Sequence, residues 1–265
     1  MIDFTNTGYE IIDAHIHPSI ESAGSDFSSF NFKNPPEILV STLKRAGITQ
    51  AAGSVISRFT DAKPSWEDIH KLNLAALEMQ RRFPDFYIPG IHIYPDHIAE
   101  SLAEIETMHN EHNVKLIGEL VAYLMGYSAY NLPELNDVWA LARDLKMVVN
   151  LHLNNLAEAA DILQNFPELK LIIAHPTGSV PEYNARLELI SRYPNAALDI
   201  SGSGPNTWNM VKHGIKTAGR EKIIFGTDFP LRNPGMYVAG VCFEEISDDD
   251  RRAVFSGNFN RLLAD

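Results

Sequence analysis

Met147-Val148-Val149-Asn150-Leu151-His152 and Leu171-Ile172-Ile173-Ala174-His175 have the same design: a short, almost wholly apolar run that ends in a histidine. Between them, Leu156 to Phe166 has helical periodicity, and Pro181 to Tyr193 follows as a further helix. A strand that is apolar at nearly every position, rather than at every second one, is buried on both faces. That is the situation of a parallel sheet covered by helices. Strand, helix, strand, with both strands ending on the same polar residue type, predicts a parallel βαβ unit with its two histidines at one edge.

The unit recurs in both directions. Downstream, Ala196 to Ile200 is a strand entering Ser201-Gly202, a helix near Thr207 to Lys216 follows, and Lys222 to Phe225 leads into Gly226-Thr227-Asp228. A helical region at about 248–264 ends the pattern. Upstream, the first strand is Ile11-Ile12-Asp13-Ala14-His15-Ile16-His17-Pro18, stopped by a proline that cannot donate to a ladder. Pro35-Pro36-Glu37 opens a helix that Gly47 caps, and a second strand runs from Thr49 to Ile56. Ser65-Trp66-Glu67-Asp68 resembles a capping box, with Asp in place of the usual Glu or Gln, and starts a helix ending before Pro84. Phe86 to His92 is the third strand, 97–111 a helix, Val114 to Leu120 the fourth strand, and Pro133 to Leu145 a helix. Residues 19–35, with Phe27, Phe30 and Phe32, and residues 229–247 read as loops over the strand tips. Eight strand–helix pairs in 265 residues predict a closed (β/α)8 TIM barrel, one α/β domain over 1–265. An open doubly wound sheet would carry a Gly-rich turn after its first strand, and none is present.

Composition narrows the function. With 45% hydrophobic and 21% charged residues the chain has the profile of a globular protein. A net charge of -12 without a basic block argues against nucleic acid as a partner. The single cysteine, Cys242, rules out an internal disulfide framework and suits a reducing compartment. The first residues lack the pattern of a secretory signal, and no apolar run approaches the ~20 residues that cross a bilayer. A cytoplasmic protein with a small-molecule substrate and no membrane partner is the expectation.

The strand tips carry the chemistry. His15 and His17 lie two residues apart on one face of the first strand, about 7 Å apart along the chain. Glu119 ends the fourth strand, His152 the fifth, His175 the sixth, and Asp228 follows the eighth. In a barrel these ends open on one face. Four imidazoles and two carboxylates there are the nitrogen and oxygen donors that a divalent metal needs, whereas a lone histidine after a strand is usually only hydrogen-bonded. His70, His109 and His112 fall inside predicted helices and His97 and His213 near helix ends, where solvated roles are usual; His92 also stands at a tip.

The set His15-x-His17, His152, Ala174-His175-Pro176, Gly226-Thr227-Asp228-Phe229-Pro230 and Gly257-Asn258-Phe259-Asn260-Arg261-Leu262-Leu263 resembles the amidohydrolase superfamily. More narrowly it is similar to the amidohydrolase-related branch that contains aminocarboxymuconate-semialdehyde decarboxylase and pyrone-dicarboxylate lactonase. The resemblance implies that His15, His17, His152 and Asp228 hold the metal, with Asp228 also a proton acceptor, and that His175 either supports the ligands from behind or polarises the substrate. Gly118-Glu119-Leu120 resembles the segment of the metal-dependent deoxyribonucleases whose glutamate bridges two metals. Glu119 therefore holds a second ion, binds substrate or orients a ligating histidine; one ion, Zn2+, is the expectation. The implied reaction is hydrolysis of an ester, lactone or amide by water made acidic at the ion. The alternative is non-oxidative decarboxylation at the same site, and a third is a catalytically silent binding barrel. Arg58 is either a clamp for a substrate carboxylate or a surface arginine. Tyr123, with Tyr127 and Tyr130, is either pocket wall or part of a buried aromatic cluster. A homodimer is the family-level expectation for assembly.

Overall fold

The computed structural model describes residues 7–21, 23, 35–59 and 62–264. The predicted tip loop at 19–35, with Phe27, Phe30 and Phe32, lies largely outside the described residues. Eight strands form one parallel sheet in sequence order: β1 (Ile12–Ile16), β2 (Gln50–Ser54), β3 (Tyr87–Ile91), β4 (Leu116–Leu120), β5 (Val148–Leu151), β6 (Lys170–Ile173), β7 (Ala196–Asp199) and β8 (Ile223–Ile224). The last returns to the first: the Ala14 amide donates to the Phe225 carbonyl at 3.0 Å and the Asp228 amide to the His15 carbonyl at 2.8 Å. The barrel is the expected (β/α)8 form.

Helices α1 (Pro36–Arg45), α2 (Trp66–Arg82), α3 (Ile98–His112), α4 (Ala122–Met125), α5 (Asn136–Asp144), α6 (Leu156–Asn165), α7 (Val180–Ser191) and α8 (Met210–Ala218) occupy the connections. Beyond β8 come α9 (Pro234–Phe243), α10 (Asp248–Arg252), a π-turn at Ala253–Gly257 and α11 (Asn258–Leu263). None of the described helices is long and apolar enough to cross a membrane. The capping box at Ser65 forms with aspartate in the glutamate position: the Ser65 amide donates to Asp68 Oδ2 at 2.9 Å and the Asp68 amide to Ser65 Oγ at 3.3 Å. Asp68→Ala is expected to cost about 1 kcal/mol in urea unfolding.

Two elements depart from expectation. The segment 229–247, read as a loop, contains α9. Pro-Gly-Met-Tyr-Val-Ala-Gly-Val-Cys-Phe carries no charge and two glycines, so it shows no polar stripe for periodicity to detect. Local capping by Asn233, whose side chain accepts from the Gly235 amide at 3.1 Å, and burial of Tyr237, Val238 and Val241 make it helical. Residues 121–132, unassigned from sequence, hold the single turn α4 after β4.

The core has two layers. Ile12, Ala14, Ala52, Leu116, Val148, Ile172, Ala197 and Ile224 fill the barrel interior, and Phe259 and Leu262 of α11 pack on them. The larger cluster, which includes Ile11, Ile16, Ile117 and Leu120, lies between sheet and helices. In β1 the interior residues are 12 and 14 while Ile16 faces the helices, so the alternation changes phase. The β1–β2 register shifts between Asp13 and Ile16, and this irregularity turns His15 and His17 inward. The same happens in β4, where Leu116 faces inward, Leu120 outward, and the register shifts between Ile117 and Leu120 to admit Glu119. The Gly118–Glu119 peptide is cis.

Candidate metal centre

Both irregular strands bring their polar residues to one point. His15 Nε2 and His17 Nε2 are 3.2 Å apart, and Glu119 Oε2 lies 3.1 Å from the first and 3.0 Å from the second. Asp228 Oδ1 completes the group at 3.8 and 3.7 Å from the same two nitrogens. Asp228 stands at φ 68°, a left-handed conformation that aspartate tolerates better than most residues, which turns its carboxylate toward the strand tips.

The protons on the two imidazoles are directed elsewhere. His15 Nδ1 faces Asp199 Oδ2 at 2.9 Å, and His17 Nδ1 faces the Ser54 carbonyl at 3.3 Å. Neither acceptor carries a proton, so each ring places an N–H on Nδ1 and turns Nε2 toward the carboxylates. Two imidazole nitrogens and two carboxylate oxygens then crowd together, and a proton on a nitrogen or a cation among them relieves the contact. A cation bound at ~2.0–2.2 Å would separate its ligand atoms by about 3.0–3.4 Å, the range the closest of these contacts span. The donor set fits a divalent ion. It mixes nitrogen and oxygen, which suits Mn2+ as well as Zn2+.

Electrostatics agree. Burial opposes a charged His15, yet Glu119 and Asp199 hold its pKa well above the usual histidine range. Burial pushes the Asp199 and Glu119 carboxyls up. His15 outweighs that, bringing Asp199 down to about 2 and Glu119 well below an ordinary glutamate. Three buried carboxylates around one point call for positive charge, supplied by a proton or a metal ion.

His152 and His175 stand one step further out. His152 Nδ1 lies 3.1 Å from Glu119 Oε1 and 3.1 Å from His175 Nε2. His175 Nε2 is also 3.3 Å from that same oxygen, while its Nδ1 contacts Ser201 Oγ at 2.9 Å. Glu119 thus presents one oxygen to His15 and His17 and the other to His152 and His175. The groups whose ligand atoms converge within 4.8 Å are His15, His17 and Asp228, and His15, Glu119 and His175. His152, expected from the resemblance among the ligands, adjoins Glu119 and belongs to neither group. His92 is buried, and its Nε2 faces the Val55 carbonyl at 3.1 Å.

The site opens into a cavity of about 280 Å3 lined by His17, Glu119, His152, His175 and Asp228, with Arg58, Tyr123 and Arg232 around it. Arg58 and Tyr123 therefore border the pocket. Tyr123 is half-exposed with its ring centroid 5.3 Å from that of His152, whereas Tyr130 is buried and Tyr127 partly buried, both packed in an aromatic cluster with Tyr94. The two alternatives for the tyrosines are divided between them. Tyr130 ties the tips together, its hydroxyl contacting the Leu120 carbonyl at 2.6 Å and the His152 carbonyl at 3.0 Å.

Asp13, Asp199, Ser201 and Arg232 were not singled out from sequence. Asp13 accepts from Thr227 Oγ1 at 2.5 Å and its amide at 2.9 Å, which locks the β8 tip to β1; burial raises its pKa to about 7. The signal for Asp13 and Asp199 was present: a charged residue inside an apolar parallel strand must serve a partner, since unpaired it is costly to bury. Asp199→Asn is expected to weaken metal affinity about 10- to 100-fold, read by chelator competition, because the amide no longer fixes the His15 tautomer.

A family model described as amidohydrolase matches residues 12–264. The chain belongs to the amidohydrolase family. No curated protein matches its sequence. Solved structures similar to this amidohydrolase include 2,6-dihydroxybenzoate decarboxylase from Rhizobium, at 16% identity and TM-score 0.76 over 96% of this chain and 98% of that one. A 5-carboxyvanillate decarboxylase from Novosphingobium aromaticivorans, complexed with manganese and 4-hydroxy-3-methoxy-5-nitrobenzoic acid, aligns at 13% identity and TM-score 0.77 over 97% of each chain. A dihydroxybenzoic acid decarboxylase from a Polaromonas species, with bound manganese and the inhibitor 2-nitroresorcinol, aligns at 18% identity and TM-score 0.67 over 96% and 97%. At these identities the likeness is one of fold.

Proposed function

We propose that this amidohydrolase is a metal-dependent, non-oxidative decarboxylase of a small aromatic carboxylic acid. The observation that carries the reading is the convergence of His15, His17, Glu119 and Asp228 at the floor of a cavity sized for one substituted ring, with Arg58 and Arg232 at its edge. The resemblance in fold to decarboxylases of hydroxylated benzoates supports that substrate class over esters and amides.

One divalent ion held by His15, His17 and Asp228, with Glu119 beside it, would supply Lewis acidity toward substrate oxygens. Arg58 and Arg232 present planar guanidinium groups to an incoming carboxylate, and Arg232 is oriented by donating from Nε to the Gly202 carbonyl at 2.9 Å. Asp228 borders the cavity, takes up a proton from water and passes it to the ring carbon that bears the carboxylate. The carbon–carbon bond then breaks, its electron pair returns to the ring, and CO2 leaves. His175, held by Ser201, and His152 form the wall that keeps the ring over Asp228.

Hydrolysis is the second reading, favoured by the same placement of Asp228 beside the paired imidazoles, where it can take a proton from water. CO2 release from 2,6-dihydroxybenzoate and related phenolic acids, set against cleavage of aryl esters and lactones, separates the two. Turnover of esters or lactones with no CO2 from any phenolic acid would overturn the decarboxylase proposal. Replacing Arg58 and Arg232 with methionine is expected to raise KM about 10-fold or more with a smaller change in kcat, measured on whichever substrate turns over.

A further inference from the structure

Ser201, which follows β7, is completely buried, and its hydroxyl stands among three side chains of the site. Oγ lies 2.9 Å from His175 Nδ1 and 3.0 Å from His15 Nδ1, and it donates to Asp199 Oδ1. Asp199 is occupied on both oxygens. Its Oδ1 also accepts from the Ser201 amide at 3.0 Å and the His175 amide at 3.2 Å. Its Oδ2 accepts from His15 Nδ1 at 2.9 Å and Asn150 Nδ2 at 3.4 Å. The main chain beside Ser201 is pinned as well: the Gly202 carbonyl accepts from the Tyr237 hydroxyl at 2.5 Å and from Arg232 Nε at 2.9 Å.

A hydroxyl has one proton and two lone pairs. The Ser201 proton goes to the carboxylate, the strongest acceptor in reach, so Oγ can only accept from the two imidazoles. His175 therefore carries a hydrogen on Nδ1 whether its ring is neutral or cationic. The nitrogen left to meet substrate is Nε2, on the side of Glu119 and His152, which line the cavity with it. We propose that Ser201 is a positioning residue for the proposed decarboxylation: its hydroxyl, aimed by Asp199, holds His175 in the Nδ1–H form and fixes the Nε2 edge toward the substrate ring. Its effect on turnover rests on the decarboxylase reading, whereas its effect on His175 follows from the hydrogen bonds alone. One carboxylate thus aims two rings, His15 directly through Oδ2 and His175 through the Ser201 hydroxyl on Oδ1.

The test is nitrogen-15 NMR of the zinc-loaded full-length protein labelled in histidine, with the His175 ring identified by its loss in His175→Gln. In the wild type the hydrogen resides on His175 Nδ1. In Ser201→Ala, with no hydroxyl facing Nδ1, it shifts in part to Nε2, and kcat falls about 10- to 100-fold with KM nearly unchanged. Ser201→Thr, which keeps the hydroxyl, restores the Nδ1–H form and most of the turnover. Metal affinity of Ser201→Ala stays near that of the wild type because Asp199 Oδ2 still faces His15 Nδ1, which separates this role from that of Asp199. A wild-type His175 whose Nδ1 bears no hydrogen would overturn the proposal, as would an unchanged tautomer in Ser201→Ala. Should Ser201→Ala not fold, the wild-type spectrum decides by itself. The tautomer is read without turnover, so absence of CO2 release and failure of this assignment are separate results.

Discussion

His15→Ala combined with His17→Ala is expected to leave purified protein without its divalent ion, cutting metal affinity and turnover by more than about 10³-fold. The size follows from what is removed. Partners one step out from a metal are already worth about 10- to 100-fold, and here both Nε2 nitrogens of the cluster disappear. Elemental analysis should fall from about one ion per chain to background. The far-UV spectrum should persist, because the interior stack of Ile12, Ala14, Leu116, Val148 and Ile172 does not include either imidazole. His70→Ala, on α2 with its Nδ1 on Glu104, keeps the ion and serves as the control. Full metal retention in the double variant would contradict the placement of the ion.

Gly53→Ala is expected to be the most damaging single methyl addition, costing about 3 kcal/mol and lowering Tm by about 6–10 °C. A Cβ at this position would sit 1.9 Å from the Ile16 carbonyl oxygen, and that oxygen is backbone, which cannot rotate away. Gly53 is the register partner of Ile16 at the irregularity in β1, so the missing side chain is what lets the strand crowd inward and carry His15 and His17 with it. Metal affinity should therefore fall together with stability. Gly90 plays the same part beside β4, where a Cβ would meet the Gly118 carbonyl oxygen at 2.2 Å. Gly178→Ala, with no atom within 4 Å of the added carbon, should be close to neutral. A thermal melt of Gly53→Ala matching the wild type would show that the two strands separate without cost.

The eight-fold alternation was legible because burial on both faces leaves a local mark: short apolar runs such as Leu171 to Ala174, separated by amphipathic helices. The polar residues at the tips stood out against those runs, which is why His15, His17, Glu119, His152, His175 and Asp228 could be named from spacing; in the structure they join in one chain of contacts through Glu119 and His15. What the chain could not declare is anything set by distance through space. Helix α9 has no polar face and owes its form to what it packs against. Asp199 reads as an interruption of β7 until it is seen to aim His15. The phase change in β1 and β4 is a property of paired strands: the register slips because Gly53 and Gly90 leave room on the neighbouring backbone. Local sequence thus determined which side chains can bind a cation, since that depends on residue type and strand position. Tertiary structure alone decided which of them share one point, since that depends on how adjacent backbones fit.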